Sequence, residues 1–168
     1  MGKIKVIKFE SESELEKFIL ENGSYFEEHL ELGSGEFFSQ VKIGGYGRVD
    51  IVHIDNSCSG AIYLTVVELK NERLKSADMA QLCRYMKCFE ALFCPDNERP
   101  VEVYGILIGP KTFPDNSDNC FLFERVENAR CMQFSLGVDG IDLEEMGSYI
   151  RKDAPIYDDL KKVLGLNL

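Results

Sequence analysis

The sequence predicts an α/β fold, a mixed β-sheet flanked by helices in the order α-β-β-β-α-β. Three observations carry that expectation. Two runs of strand composition, Phe37 to Ile43 and Val49 to Ile54, are joined by the glycine-rich turn Gly44-Gly45-Tyr46-Gly47. A third apolar run, Ala61 to Leu69, follows the turn residues Asp55-Asn56-Ser57-Cys58-Ser59-Gly60 and so returns antiparallel as a hairpin. A long helical stretch, Ser76 to about Phe93, then leads to a buried strand, Val101 to Ile108, which gives helices packed on a sheet.

The remaining elements follow from local signals. The opening KIKVIKF alternates as a short edge strand does, and Ser11 to Glu14 reads as a capping box that starts a helix. Leu15, Phe18 and Ile19 give that helix its apolar face, and Asn22-Gly23 interrupts it. A second turn of helix, Ser24 to Leu32, carries Phe26 and Leu30 on one side and stops at Gly33-Ser34-Gly35. Cys94-Pro95-Asp96-Asn97 ends the long helix, because proline disfavours helix in the residue before it. Gly109-Pro110 ends the strand after it. Residues 111–119 read as a loop, residues 120–129 are ambiguous between helix and strand, and Cys131 to Leu136 reads as a strand. Two short helices, Leu143 to Arg151 and Ile156 to Leu164, are expected to follow. No repeat or linker divides the chain, so a single domain over 1–168 is expected, with its core at about 11–109 and a C-terminal extension at 110–168.

At 168 residues the chain is long enough for a hydrophobic core without covalent staples. No run approaches the roughly 18 apolar residues of a membrane span. The N-terminal MGKIKVIKFESESELEKF lacks the apolar core of a signal peptide, so a cytoplasmic location without a membrane partner is expected. None of the six cysteines has the C-x2-C spacing of a metal knuckle, which favours reduced, structural thiols. A net charge of −10 argues against a polyanion binder that uses its whole surface. Acids crowd the N-terminal third, however, while Lys70, Arg73, Lys75, Arg84 and Lys87 gather after the central strand, and this permits a local basic face.

The chemistry centres on Glu68-Leu69-Lys70, which ends an apolar strand where charge is costly to bury. Alternation puts Glu68 and Lys70 on one face and turns Leu69 into the core; Asp50 shares a face with Val52 and Ile54, and His53 points the other way. If the hairpin turns near Ser57-Cys58, the residue opposite Asp50 is Thr65 or Val66. Glu68 then lies two or three positions further on, an offset that twist or a bulge must close. Two carboxylates that meet there, with the Leu69 carbonyl, form an all-oxygen site suited to Mg²⁺ or Mn²⁺. Lys70 beside them could orient or deprotonate a water, which makes the reaction class metal-assisted hydrolysis of a phosphodiester. Gln81 and Tyr85 form an i,i+4 pair on the next helix, one offering an amide to a carboxylate, water or phosphate and the other a supporting hydroxyl. Glu27 or Glu28 could add a further carboxylate. Taken alone, an Asp and an E-x-K are more simply a surface salt bridge, and both glutamates a charged helix surface; the ordered set favours a site.

Together these residues resemble the PD-(D/E)XK nuclease superfamily, with Asp50 as the motif aspartate, Glu68-Leu69-Lys70 as the (D/E)XK element, and Gln81 and Tyr85 as the Q-x-x-x-Y signature of its RecB-type branch. The pattern F-E, G-R-V-D-I-V, V-V-E-L-K and Q-L-C-R-Y is most similar to the catalytic domain of NucS/EndoMS-type endonucleases. The resemblance covers Ser11 to about Ile108. It implies a restriction-endonuclease-like sheet, and it favours Glu27, which follows apolar Phe26, as the helical carboxylate. It departs from that family in Val49, where a proline is usual, in a longer hairpin turn, and in the lack of a counterpart to the family's N-terminal DNA-binding domain. No cysteine precedes Asp50, so the iron–sulfur cluster of some RecB-type members is not expected.

The expected function is therefore a Mg²⁺- or Mn²⁺-dependent nuclease acting on DNA rather than RNA. Asp50, Glu68, Glu27 and the Leu69 carbonyl hold metal in this reading, and Lys70, Gln81 and Tyr85 complete the site. The rival expectation is a nuclease-fold module that binds nucleic acid or a protein without cutting. A homodimer or a protein partner is compatible with either. A thiol site built from Cys83 or Cys88 with His29 or His53 has thin support, because the histidines lie in unrelated contexts.

Overall fold

The computed structural model describes residues 8–93, 99–111, 126–137 and 140–146. Helix α1 (Glu12–Glu21) begins at Ser11, whose hydroxyl accepts the Glu14 amide at 3.2 Å, while the Glu14 carboxylate reaches back to the Glu10 amide at 2.7 Å. A bend at Asn22 leads into α2 (Gly23–His29). The strands β1 (Glu36–Lys42), β2 (Arg48–Asp55) and β3 (Ile62–Leu69) precede α3 (Ser76–Leu92) and β4 (Val101–Pro110), which completes the expected α-β-β-β-α-β order. Two further strands follow, β5 (Ala129–Gly137) and β6 (Gly140–Met146).

All six strands join one sheet in the order β1-β2-β3-β4-β5-β6. β1–β2, β2–β3 and β5–β6 are antiparallel, and β3–β4 and β4–β5 are parallel. Parallel neighbours need a long crossover, and α3 supplies the one between β3 and β4. The helices cover opposite faces. Leu15, Ile19, Phe26 and Leu30 of the α1–α2 side pack with Ile51, Val67, Leu69 and Ile106, whereas Leu82, Tyr85 and Met86 of α3 pack with Val52, Val66 and Leu107. Helix α3 lies so close to β4 that a Cβ on Gly105 would stand 2.3 Å from the Met86 sulfur, so any larger residue there would have to displace the Met86 side chain.

Three expectations change. Residues 143–146 belong to β6 rather than to a helix: Gly137 pairs with Gly140, whose φ of +125° suits glycine, and Phe134 pairs with Leu143 in a hairpin whose inner face buries Ile141. The β2–β3 hairpin pairs Asp55 with Tyr63 and Ile51 with Val67, so its centre falls at Ser59, not at Ser57-Cys58. Strict alternation also fails at Asp50. Phe37 and Ile51 pack on the α1–α2 side, yet Val41 and Val49, an even number of residues away on the same strands, pack on the α3 side. The expected opening strand up to Ile7, the helix at Ile156 to Leu164 and most of residues 111–125 lie outside the described residues. No described helix is long and apolar enough to cross a membrane.

Candidate active site

The hairpin register builds the centre of the site. The β2–β3 pairing ends at Ile51 and Val67, and continuing that register by one residue brings Asp50 level with Glu68, without the offset that a turn at Ser57-Cys58 implies. Asp50 Oδ2 accepts the Leu69 amide at 2.8 Å. The Lys70 amide donates to the Ile108 carbonyl at 2.8 Å, which fixes the end of β3 against β4 and sets where the Lys70 side chain starts.

Glu68 is only 2% exposed. Its Oε1 accepts Lys70 Nζ at 2.8 Å, and its Oε2 is buried without a hydrogen-bond partner among the described residues. Burial pushes the Glu68 carboxyl up to about 7, Lys70 holds it back, and the Asp50 carboxylate adds to the rise. Burial likewise raises Asp50, against the pull of the Leu69 amide and Lys70. Burial alone would lower Lys70, but its bond to Glu68 and the nearby charges of Glu68, Glu12 and Asp50 outweigh that, so its ammonium is held above the ordinary lysine value. Burial is thus the main cause of both raised carboxyls, and the neighbouring acids add to it.

Gln81 Nε2 donates to the Tyr85 hydroxyl at 3.1 Å on the inner side of α3, as their spacing suggests. Tyr85 is buried, and its hydroxyl oxygen lies 2.8 Å from where a Cβ on Gly47 would stand. Gly47 has a φ of +124°, so the turn needs glycine both for its backbone and for this close approach. The pair therefore braces the β1–β2 turn that leads into Asp50.

The structure does not bring Glu27 to this centre. Glu27 Oε1 accepts the Gly35 amide at 2.8 Å and lies 3.2 Å from Nε2 of His53, which is buried and stacked obliquely on Phe37. Phe26 is buried in the α1–α2 core, and the Glu27 carboxylate that follows it is engaged by Gly35 and the buried His53. Glu28 is exposed. The helical carboxylates that bear on the centre are Glu12, whose charge acts on Asp50, Glu68 and Lys70, and Glu16, whose charge acts on Asp50. Glu12 drew no notice in the sequence because an acid in the first turn of a capped helix is already explained by the helix dipole, and Glu16 because an acid on a helix surface is ordinary. A cleft of about 430 Å³ beside the centre is lined by Lys70, Arg73 and Lys75 together with the acids Glu12, Glu72 and Asp78, so of the basic residues after β3 only these three reach it, and they share it with acids.

The donor set suits a hard divalent cation. Glu68 Oε2 is a buried carboxyl oxygen with no hydrogen-bond partner among the described residues, and buried polar groups are nearly always hydrogen-bonded. Among the described residues no three His, Cys, Asp or Glu side chains converge on one point. Asp50 and Glu68 offer carboxylate oxygens, the donor type that Mg²⁺ and Mn²⁺ prefer. The thiol alternative finds no support: His29 Nδ1 meets the Tyr25 carbonyl, His53 meets Glu27, and burial raises the Cys83 thiol.

No family model matches the chain, and no curated protein matches its sequence. Solved structures do match its shape. A repair endonuclease from Pyrococcus abyssi aligns at 22% identity and a TM-score of 0.52, over 79% of this chain and 50% of its own. An EndoMS–double-stranded DNA complex aligns at 23% identity and a TM-score of 0.44, over 73% of this chain and 45% of its own. The sheet and its flanking helices therefore have the restriction-endonuclease-like α/β fold of the repair endonuclease. The chain spans about half the length of these proteins.

Proposed function

We propose that this chain is a divalent-metal-dependent nuclease of the PD-(D/E)XK type, RecB-type branch, that hydrolyses phosphodiester bonds in DNA. The observation that carries the reading is the buried Glu68 Oε2 beside Asp50, without a hydrogen-bond partner among the described residues, with Lys70 on the other oxygen of the same carboxylate. Asp50, Glu68 and the Leu69 carbonyl would hold Mg²⁺ or Mn²⁺, with Glu12 rather than Glu27 as the helical carboxylate. The bound ion would acidify a water and offset charge developing on the phosphate. Lys70 carries its proton while Glu68 grips it. Any engagement of Glu68 elsewhere lowers the proton affinity of Lys70 and makes it available to the water or the phosphate. Lys70, Arg73 and Lys75 are the cations of the neighbouring cleft, where they stand among Glu12, Glu72 and Asp78, and they are the groups that a phosphate backbone would meet.

The choice of DNA draws on the repair endonuclease of like fold, which is twice as long as the shared region. The test is incubation of the protein with single-stranded, duplex and branched DNA and with RNA, with and without Mn²⁺, alongside Asp50→Ala. The reading predicts Mn²⁺-dependent cutting of DNA that the substitution abolishes. Binding without cutting would instead support a silent nuclease-fold module.

A further inference from the structure

We propose that Gln40 is a positioning residue for this metal site, holding the Asp50 segment and Glu16 in a fixed relation across the β1–α1 surface. The inference rests on the nuclease reading above and adds a residue to it.

Three observations converge on Gln40. β1 and β2 pair through Ser39–Ile51 on one side and Val41–Val49 on the other, and the same register places Gln40 opposite Asp50, where the pairing is interrupted. The register is identical on both sides, so no residue has been inserted as in a β-bulge. Gln40 instead has a φ of +53°, a left-handed conformation in the middle of a strand and one that a glutamine rarely takes. The side-chain facing of both strands reverses at this level, from the α1–α2 core at Phe37 and Ile51 to the α3 core at Val41 and Val49. The Gln40 side chain then donates through Nε2 to Glu16 Oε2 on α1, and Glu16 is one of the two helical acids whose charge acts on Asp50.

A regular β1 would keep Asp50 in strict alternation, pointing into the α3 core with Val52. The left-handed residue opposite it lets the strand pair turn over, so that Asp50 lies where α1 carboxylates act on it, and the amide of the same residue holds one of those carboxylates. Backbone strain of this kind persists only where the surrounding contacts over-determine it. Here the side chain of that residue is hydrogen-bonded to Glu16, whose charge acts on Asp50, and the strand pairs on either side hold its backbone.

The test compares Gln40→Gly with the wild type by thermal unfolding, first metal-free and then across a Mn²⁺ titration. Glycine relieves the left-handed backbone but cannot hold Glu16. The expected result is an unchanged or raised metal-free Tm and a half-saturating Mn²⁺ concentration about tenfold higher, the usual scale for losing a residue that orients a metal ligand. Glu16→Ala should produce the same rise, and the double variant should add little beyond either single change. A wild-type Mn²⁺ response that Gln40→Gly leaves intact overturns the inference while sparing the nuclease reading. A fall in metal-free Tm assigns Gln40 to sheet stability and also overturns it. Absence of any Mn²⁺ response in the wild type removes the nuclease reading itself.

Discussion

The Asp50 side chain accepts the Leu69 backbone amide at 2.8 Å, so the acid of β2 is tied to the backbone of the strand that carries Glu68 and Lys70. The bond fixes one carboxylate oxygen and directs the acid toward the end of β3. An asparagine can accept the same amide through its own oxygen while losing the charge that burial disfavours. Asp50→Asn is therefore expected to match or exceed the wild-type metal-free Tm, yet to lose both the Mn²⁺ stabilisation and DNA cutting. Parallel thermal-shift and cleavage measurements check both halves.

Burial of Glu68 gives the metal-free protein a defined pH dependence. Its folded-state value of about 7 lies above the ordinary 4.5, so the folded protein binds this proton more tightly than the unfolded chain does. Stability from this group is fully present below pH 4.5 and is lost as pH rises through about 7. Asp50 is raised as well, so it acts in the same direction. At 1.36 kcal/mol per pH unit, the span from 4.5 to about 7 corresponds to about 3 kcal/mol. Glu68→Gln should remove most of that pH dependence relative to wild type and raise metal-free stability at pH 7.5. Urea unfolding at pH 5 and pH 7.5 measures the difference.

Lys70 carries the only hydrogen bond from a cation to Glu68 among the described residues. Lys70→Met keeps the apolar stem and removes the charge. It should destabilise the fold near neutral pH, where Glu68 is left buried and uncompensated, and lower the cleavage rate about 10²–10⁴-fold, as expected for loss of a proton-transfer group. Chemical denaturation and single-turnover cleavage separate the two effects.

The two helical glutamates make opposite predictions. Glu12 acts electrostatically on Asp50, Glu68 and Lys70, so Glu12→Gln should weaken Mn²⁺ binding and cutting with little effect on metal-free Tm. Glu27 holds the Gly35 amide and the buried His53, so Glu27→Ala should cost about 1–3 kcal/mol of stability and spare metal affinity. Reversal of this pattern in paired thermal and metal titrations would return Glu27 to the site.

Much of this was legible in the sequence, and the exceptions have identifiable causes. Turn residues and alternation located β1 to β4 and α3 because each such signal is local. The Asp50–Glu68 opposition was obscured because Asp55 to Gly60 read as the turn, and a centre placed a residue and a half too early shifts every partner by three. The turn-over at Gln40 left no mark, because a glutamine at positive φ is set by tertiary contacts and not by propensity. Glu12 and Glu27 were indistinguishable in type, and only packing decides which end of α1–α2 faces the centre. Residues 143–146 have helix-compatible composition, and pairing with β5 overrides it.

Calorimetric titration of Mn²⁺ into the wild type and into Glu68→Gln, at a pH where both are folded, tests most directly whether the buried Glu68 oxygen belongs to a metal site. The account predicts saturable binding to the wild type and at least about tenfold weaker binding to the variant. Equal binding by the two proteins, or none by the wild type, would contradict it.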